Sequence, residues 1–212
     1  MNNTPHPAKY TNSFIPIFSE MSMGCKRILD PFSGTGKIFE LKAIRPELEI
    51  FGVELEPEWA NSIIGNSLNL PFSKDSFDCI ITSPTYGNRM ADHHNAKDSS
   101  KRNTYTHVIG RKLSKNNSGS MQWGDEYRKL HENVWLECKR VLINDGIFIL
   151  NIKDHIRKGV IQKVTDWHIE KLEKIGFAVL EHRKIKCSGN GFGKNSLARI
   201  GHESIILFKL NP

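Results

Sequence analysis

The sequence predicts an α/β fold, a doubly wound and mostly parallel sheet with an antiparallel pair of strands at one edge. Three observations carry this. Short apolar runs alternate with helix-like segments from residue 26 to residue 180, the order that builds a parallel sheet with right-handed crossovers. The run Ile147–Ile152 (IFILNI) reads as a strand buried on both faces. Two apolar runs then close the chain with no helical segment between them, which calls for a hairpin. The chain has 212 residues, the size of one domain, taken here as 1–212.

The elements follow in order. KRILDP (26–31) is a first strand ending on an acid, followed by Gly34-Thr35-Gly36 and a helix from Lys37 to Ile44 that Pro46 stops. IFGVEL (50–55) is a second strand ending on an acid. Pro57 is expected to start a helix that Gly65 ends. FDCIIT (77–82) is a third strand, running directly into Ser83-Pro84-Thr85-Tyr86-Gly87. Residues 88–122 lose all periodicity, which in a compact domain marks a functional or disordered loop. Tyr127, Leu130, Val134, Cys138, Val141 and Leu142 recur at helical spacing, so 125–142 is a helix. Asn144-Asp145-Gly146 is a turn. A further helix spans 164–175 and ends at Gly176. Phe177–Leu180 and Ser204–Leu210 are the last strands, joined through CSGNGFGKNSLARIG, a linker by composition.

Composition excludes several classes. Hydrophobic residues make up 38% and charged residues 25%, which fits a globular domain and not a disordered or fibrous chain. No run of about 18 apolar residues is present, so no membrane helix is expected. MNNTPHPAKY lacks a charged start followed by an apolar stretch, so no secretory leader is expected. Cys25, Cys79, Cys138 and Cys187 are widely spaced without a C-x-x-C pair. The expectation is a reduced, cytoplasmic protein.

The net charge of +7 is unevenly placed: residues 88–115 carry 7 basic and 2 acidic side chains, residues 150–212 carry 12 and 6, and residues 1–87 are net acidic. Such clustering suits a polyanionic partner.

Ligands of doubly wound sheets bind beyond the C-terminal ends of the strands, and the chemistry-bearing residues of this chain fall there. In Asp30-Pro31-Phe32-Ser33-Gly34-Thr35-Gly36 an acid ends the strand and glycines let the backbone approach a ligand. N–H groups at the following helix start favour a carboxylate. Asp30 can accept from an ammonium group, so the loop suits a zwitterionic amino-acid moiety. Glu54, about 20 residues on, stands where an acid commonly holds ribose hydroxyls; Glu56 and Glu58 are its rivals. Asn66 and Ser67 lie beside the same ligand, where Asn66 can meet an adenine edge. At Ser83–Tyr86 a hydroxyl, a proline-fixed carbonyl and an aromatic ring come together. The ring can stack on a nucleobase while the oxygens accept from its exocyclic amine.

The first of these segments resembles the cofactor loop, D-P-F-x-G-x-G, of class I S-adenosylmethionine-dependent methyltransferases. Ser83-Pro84-Thr85-Tyr86 resembles the S/N/D-P-P-Y/F tetrad of the DNA amino-methyltransferases, which act on cytosine N4 or adenine N6. The resemblance runs from about His6 to Leu210 and implies a seven-stranded, Rossmann-like methyltransferase fold with S-adenosyl-L-methionine as cofactor and DNA as partner. Serine in first place is closer to the cytosine-N4 branch. The resemblance further implies that Asp30, Pro31, Phe32, Ser33, Gly34, Thr35 and Gly36 cradle the methionine part of the cofactor. Glu54 would bind its ribose, and Asn66 with Ser67 its adenine. His6-Pro7-Ala8-Lys9-Tyr10 is similar to the N-terminal segment that closes over the cofactor, which adds Lys9 and Tyr10. Ser83 and the Pro84 carbonyl would accept from the target amine, and Tyr86 would stack on the flipped base. Thr85 departs from the family pattern, where a second proline stands, and predicts a softer turn.

The basic stretch 88–123 is expected to contact nucleic acid through Asn88, Arg89, Lys101, Arg102, Arg111 and Lys112. Asp92, His93 and His94 read as solvated or phosphate-facing, so no metal is expected. Two other readings stand beside DNA methylation: an RNA base methyltransferase with the same tetrad, and a non-catalytic nucleic-acid-binding relic of the fold. The oligomeric state is open, a dimer included.

Overall fold

The computed structural model describes residues 11–87, 105–157, 159–187 and 200–211. The order of elements is α1 (Phe14–Met21), β1 (Arg27–Asp30), a 3-10 helix (Lys37–Ala43), β2 (Glu49–Glu54), β3 (Ile63–Ile64) and β4 (Phe77–Thr82). There follow α2 (Tyr105–Ile109), α3 (Asp125–Val141), β5 (Leu142–Ile152), β6 (His155–Arg157), β7 (Val160–Gln162), α4 (Val164–Lys174), β8 (Phe177–Lys186) and β9 (His202–Leu210).

Seven strands form one sheet in the order β3-β2-β1-β4-β5-β9-β8. β1 pairs parallel with β2 and β4, and β4 parallel with β5. β9 is antiparallel to both β5 and β8, as the helix-free closing pair required. The chain enters the sheet at β1, fills one side to β3, then returns across β1 to β4. The reversal leaves a crevice beyond the C-terminal ends of β1 and β4, where such sheets bind ligands.

Side chains alternate across the sheet with the two-residue period of strands. Leu29, Ile80, Phe148 and Phe208 join α3 and α4 in one core, through Val134, Trp135, Cys138 and Leu172. Ile28, Cys79, Ile81, Ile149 and Ile205 join α1 and the 3-10 helix in the other, through Phe14, Phe18, Ile38 and Leu41. The result is three layers, with helices on both faces.

The helix expected from Pro57 to Gly65 is absent: the chain makes a turn in which Trp59 and Ala60 donate to the Glu56 carbonyl at 3.1 and 3.2 Å, then enters β3. Burial of the Trp59 ring fixes this turn more firmly than helix propensity would. The helix expected after Gly36 is present as a 3-10 helix, entered from a left-handed Gly36 at φ 78°. After β5, residues 155–157 form β6 of a small hairpin with β7. Asp154 Oδ1 there accepts the Thr165 N–H at 2.8 Å and so caps α4. Helix α1 and strand β3 had no counterpart in the sequence reading. Most of the linker between β8 and β9 lies outside the described residues. Its two ends meet where the Cys187 N–H donates to the Gly201 carbonyl at 2.9 Å. All four cysteines are free thiols. Among the described residues no helix is long and apolar enough to cross a membrane.

Candidate active site

Asp30 ends β1 with only 2% of its surface exposed. Its Oδ1 accepts two bonds, from the Phe32 N–H at 3.0 Å and from Thr82 Oγ1 at 2.8 Å. Burial pushes its carboxyl up to about 7; the two donors oppose that rise and the nearby Glu54 adds to it. Because both bonds fall on Oδ1, Oδ2 keeps acceptor capacity for a donor arriving from the crevice.

Glu54 ends the neighbouring strand. Its Oε2 accepts from the Gly34 N–H at 2.9 Å and its Oε1 from the Glu56 N–H at 2.8 Å. It therefore clasps the glycine loop, and burial raises its carboxyl above the ordinary value. Each carboxylate oxygen still has a lone pair to offer. Gly36 must be glycine: its φ is 78° and a Cβ would stand 2.6 Å from the Phe39 ring. Ser67 Oγ donates to the Pro31 carbonyl and ties the segment after β3 to the loop. Asn66 Oδ1 accepts the Leu68 N–H at 3.0 Å. Asp30, Gly34, Glu54 and Ser67 are thus tied to one loop, with Asn66 beside Ser67 in sequence. Two partly unsatisfied carboxylates beside a backbone loop are the donor–acceptor chemistry that an amino-acid moiety and a ribose need, so the residues fit the cofactor expected of them.

Phe32 packs against α3. Its ring stacks on His131 at 5.5 Å and 28° and meets Trp135 edge-on at 6.2 Å, so it anchors the loop to α3. Burial holds the His131 imidazole down at about 4, hence neutral, and Nδ1 lies 2.8 Å from the Tyr127 carbonyl, to which it donates.

The tetrad follows β4 directly. Ser83 Oγ accepts from Asn151 Nδ2 at 3.1 Å. Tyr86 Oη donates to Glu203 Oε2 at 3.2 Å. Burial and that carboxylate push the phenol well up, so it stays a donor. Thr85, where the resemblance had a proline, is held from both sides: its Oγ1 donates to Ser118 Oγ at 2.9 Å and its carbonyl accepts from Tyr127 Oη at 2.6 Å. These bonds restrain the turn that a second pyrrolidine ring would have stiffened. Gly87 closes it at φ 65°, where a Cβ would lie 2.9 Å from the Trp123 nitrogen.

The cofactor rim and the tetrad are in contact. Thr82, the last residue of β4 and the one before Ser83, makes the bond to Asp30.

The described part of the basic stretch packs back on the domain. Glu56, fully buried, accepts from Ser114 N at 2.7 Å, Ser114 Oγ at 3.0 Å, Asn117 Nδ2 at 2.8 Å and Arg111 at 2.6 Å. Arg111 also donates twice to Glu58, at 2.8 and 2.6 Å. The phosphate contact expected of Arg111 is corrected accordingly, since two carboxylates engage its guanidinium. The same bonds remove Glu56 and Glu58 as rivals to Glu54. Lys112 remains exposed. Lys9, Tyr10, Asn88, Arg89, Asp92, His93, His94, Lys101 and Arg102 lie outside the described residues.

Sequence reasoning missed Asn151 and Glu203, and it gave Glu56 and Tyr127 other parts, a rival ribose ligand and a helix-face residue. Asn151 alone carried a signal, a polar residue inside an otherwise apolar strand.

The family model described as DNA methylase, for N6/N4 methyltransferases, matches residues 77–212, which begins at β4 and takes in the tetrad, Asn151 and Glu203. No curated protein sequence matches the chain. Solved structures share the fold at low identity. The N-methyltransferase NodS from Bradyrhizobium japonicum is 10% identical, with 94% of each chain covered and a TM-score of 0.54. A TehB-like SAM-dependent methyltransferase from Corynebacterium glutamicum is 14% identical over 96% of this chain and 90% of that one, with a TM-score of 0.52. The PH0226 protein from Pyrococcus horikoshii is 15% identical over 93% and 88%, with a TM-score of 0.54.

Proposed function

The chain belongs to the DNA methylase family, and on that premise we propose that it methylates the exocyclic amine of a DNA base, cytosine N4 before adenine N6. The methyl donor is S-adenosyl-L-methionine. The observation that carries the reading is the bond between Thr82 and Asp30 at 2.8 Å, which sets the amine-binding corner against the cofactor rim.

The cofactor supplies an electrophilic methyl group. Asp30 Oδ2 takes its ammonium, Glu54 its ribose hydroxyls, and Asn66 with Ser67 line the adenine side. Lys9 and Tyr10 are proposed to close over it. A base amine delocalises its lone pair into the ring and needs no nucleophilic side chain. Ser83 Oγ and the Pro84 carbonyl accept its two hydrogens and draw the nitrogen towards tetrahedral geometry. Asn151 Nδ2 occupies one lone pair of Ser83 Oγ, so the serine's rotamer is set before the base arrives. Tyr86 offers its ring for stacking. Holding two reactants in line lowers a barrier by roughly 7–11 kcal/mol. Flipping a base out of a duplex costs a few kcal/mol, met by contacts from Lys112 and from Asn88, Arg89, Lys101 and Arg102.

Mass spectrometry of nucleosides tests the reading after the protein is incubated with S-adenosylmethionine and DNA, with transfer and ribosomal RNA in parallel. N4-methylcytosine in DNA is the expected product. N6-methyladenine would reverse the base preference, a methylated RNA nucleoside would move the substrate to RNA, and no product with any of them would refute the reading.

A further inference from the structure

Four polar side chains meet at the corner after β4, and the tetrad accounts for only two of them. Asn151, near the C-terminal end of β5, donates through Nδ2 to Ser83 Oγ at 3.1 Å, to Tyr86 Oη at 3.4 Å and to Glu203 Oε2 at 3.1 Å. Tyr86 Oη donates to the same Glu203 oxygen at 3.2 Å and lies 3.4 Å from Ser83 Oγ. The topology explains how a residue so late in the chain arrives here. β9 runs antiparallel to β5, with Ile152 opposite Ser204, so the first residues of β9 lie at the end of the sheet where the parallel strands finish.

The charge of Glu203 is met by neutral donors, Tyr86 from the corner and Asn151 from β5. The other titratable groups around it are the Cys187 thiol at the end of β8, which burial and then this carboxylate push up, Lys153 beside that thiol, and His202 next in sequence. The carboxylate also fixes the Asn151 amide. Turning Oδ1 towards Glu203 would set two acceptors against each other, so Nδ2 faces the cluster and Oδ1 is left buried without a partner among the described residues.

We propose that Glu203 receives the proton the base amine sheds on methylation, through Ser83 and Tyr86, while Asn151 holds the two hydroxyls in line. This rests on the methyl-transfer reading above. The amine nitrogen bonds to the methyl carbon as the carbon–sulfur bond breaks, and the electron pair of that bond goes to sulfur. The nitrogen is then cationic and loses one proton to Ser83 Oγ. The serine's hydroxyl proton passes to Tyr86 Oη, and the tyrosine's to Glu203 Oε2. Both hydroxyls end as they began, and the carboxylate ends as a carboxylic acid. The hydroxyl separations are long for a proton path, and such bonds shorten when substrate is bound.

The test is single-turnover methylation of a DNA oligonucleotide by the full chain and its Glu203→Gln, Glu203→Asp and Glu203→Ala variants. Calorimetric binding of S-adenosylmethionine and thermal melting accompany each. With S-adenosylmethionine saturating, Glu203→Gln should lose about a hundredfold in rate, with cofactor affinity and melting unchanged. Glu203→Asp should keep most of the rate, and formate should restore rate to Glu203→Ala. A Glu203→Gln enzyme with the wild-type rate overturns the proposal. So does a loss of cofactor binding and melting in the variants that formate does not repair, because Glu203 would then be structural. A wild-type protein that methylates neither DNA nor RNA refutes the functional reading itself and this inference with it.

Discussion

Replacing Asp30 by Asn should stabilise the free protein at alkaline pH while weakening its hold on the cofactor. Asp30 is buried, and its carboxyl is raised from an ordinary 3.8 to about 7. Between those values the folded protein holds a proton that the unfolded chain has released. The Asp30 contribution to stability should therefore be greatest below pH 3.8, decline as pH rises towards 7, and level off above it. The full decline corresponds to about 4 kcal/mol, at about 1.4 kcal/mol per pH unit inside the window. Asn keeps an acceptor for Phe32 N–H and Thr82 Oγ1 and cannot ionise. Urea denaturation should find Asp30→Asn more stable than wild type at pH 8 by up to about 4 kcal/mol, with the gap shrinking as pH falls to 5. Calorimetry should find its S-adenosylmethionine affinity down by about tenfold or more, the worth of a hydrogen bond to a charged partner. A stability gap equal at pH 5 and pH 8 would show that burial does not govern Asp30 and would refute the argument.

Glu56→Ala should cost about 3–5 kcal/mol in chemical denaturation, because Arg111, Ser114 and Asn117 lose one buried acceptor together. Limited proteolysis should then cut within residues 110–117. Lys112→Ala should lower the salt slope of DNA binding by about one, and Arg111→Ala should leave it unchanged because its guanidinium is already paired; equal slopes for the two variants would contradict this. Tyr127→Phe removes the bond to the Thr85 carbonyl and should slow methyl transfer by about tenfold to a hundredfold with cofactor affinity intact. Wild-type kinetics in that variant would mean the corner needs no such restraint.

The local pattern already held the sheet and the cofactor rim. Alternating runs, the acids at the ends of β1 and β2, and the glycine turn are relations between near neighbours, written in strand period and turn chemistry. The same holds for Ser83–Tyr86, four consecutive residues after a strand. The turn at 57–62 was misread because Pro57 and Gly65 bracket a helix by local rules, while burial of Trp59 overrules them. Arg111 looked like a phosphate ligand because charge can be counted in a sequence and pairing cannot; its partners lie 53 and 55 residues away. Asn151 and Glu203, separated by 52 residues, meet only because β9 enters the sheet antiparallel beside β5. Sequence alone therefore determined the fold class, the glycine turn and the Ser83–Tyr86 corner. Tertiary structure decided which charges are spent inside the domain and which carboxylate stands behind the corner, since contacts between distant residues arise from strand order and burial, and neither position names its partner.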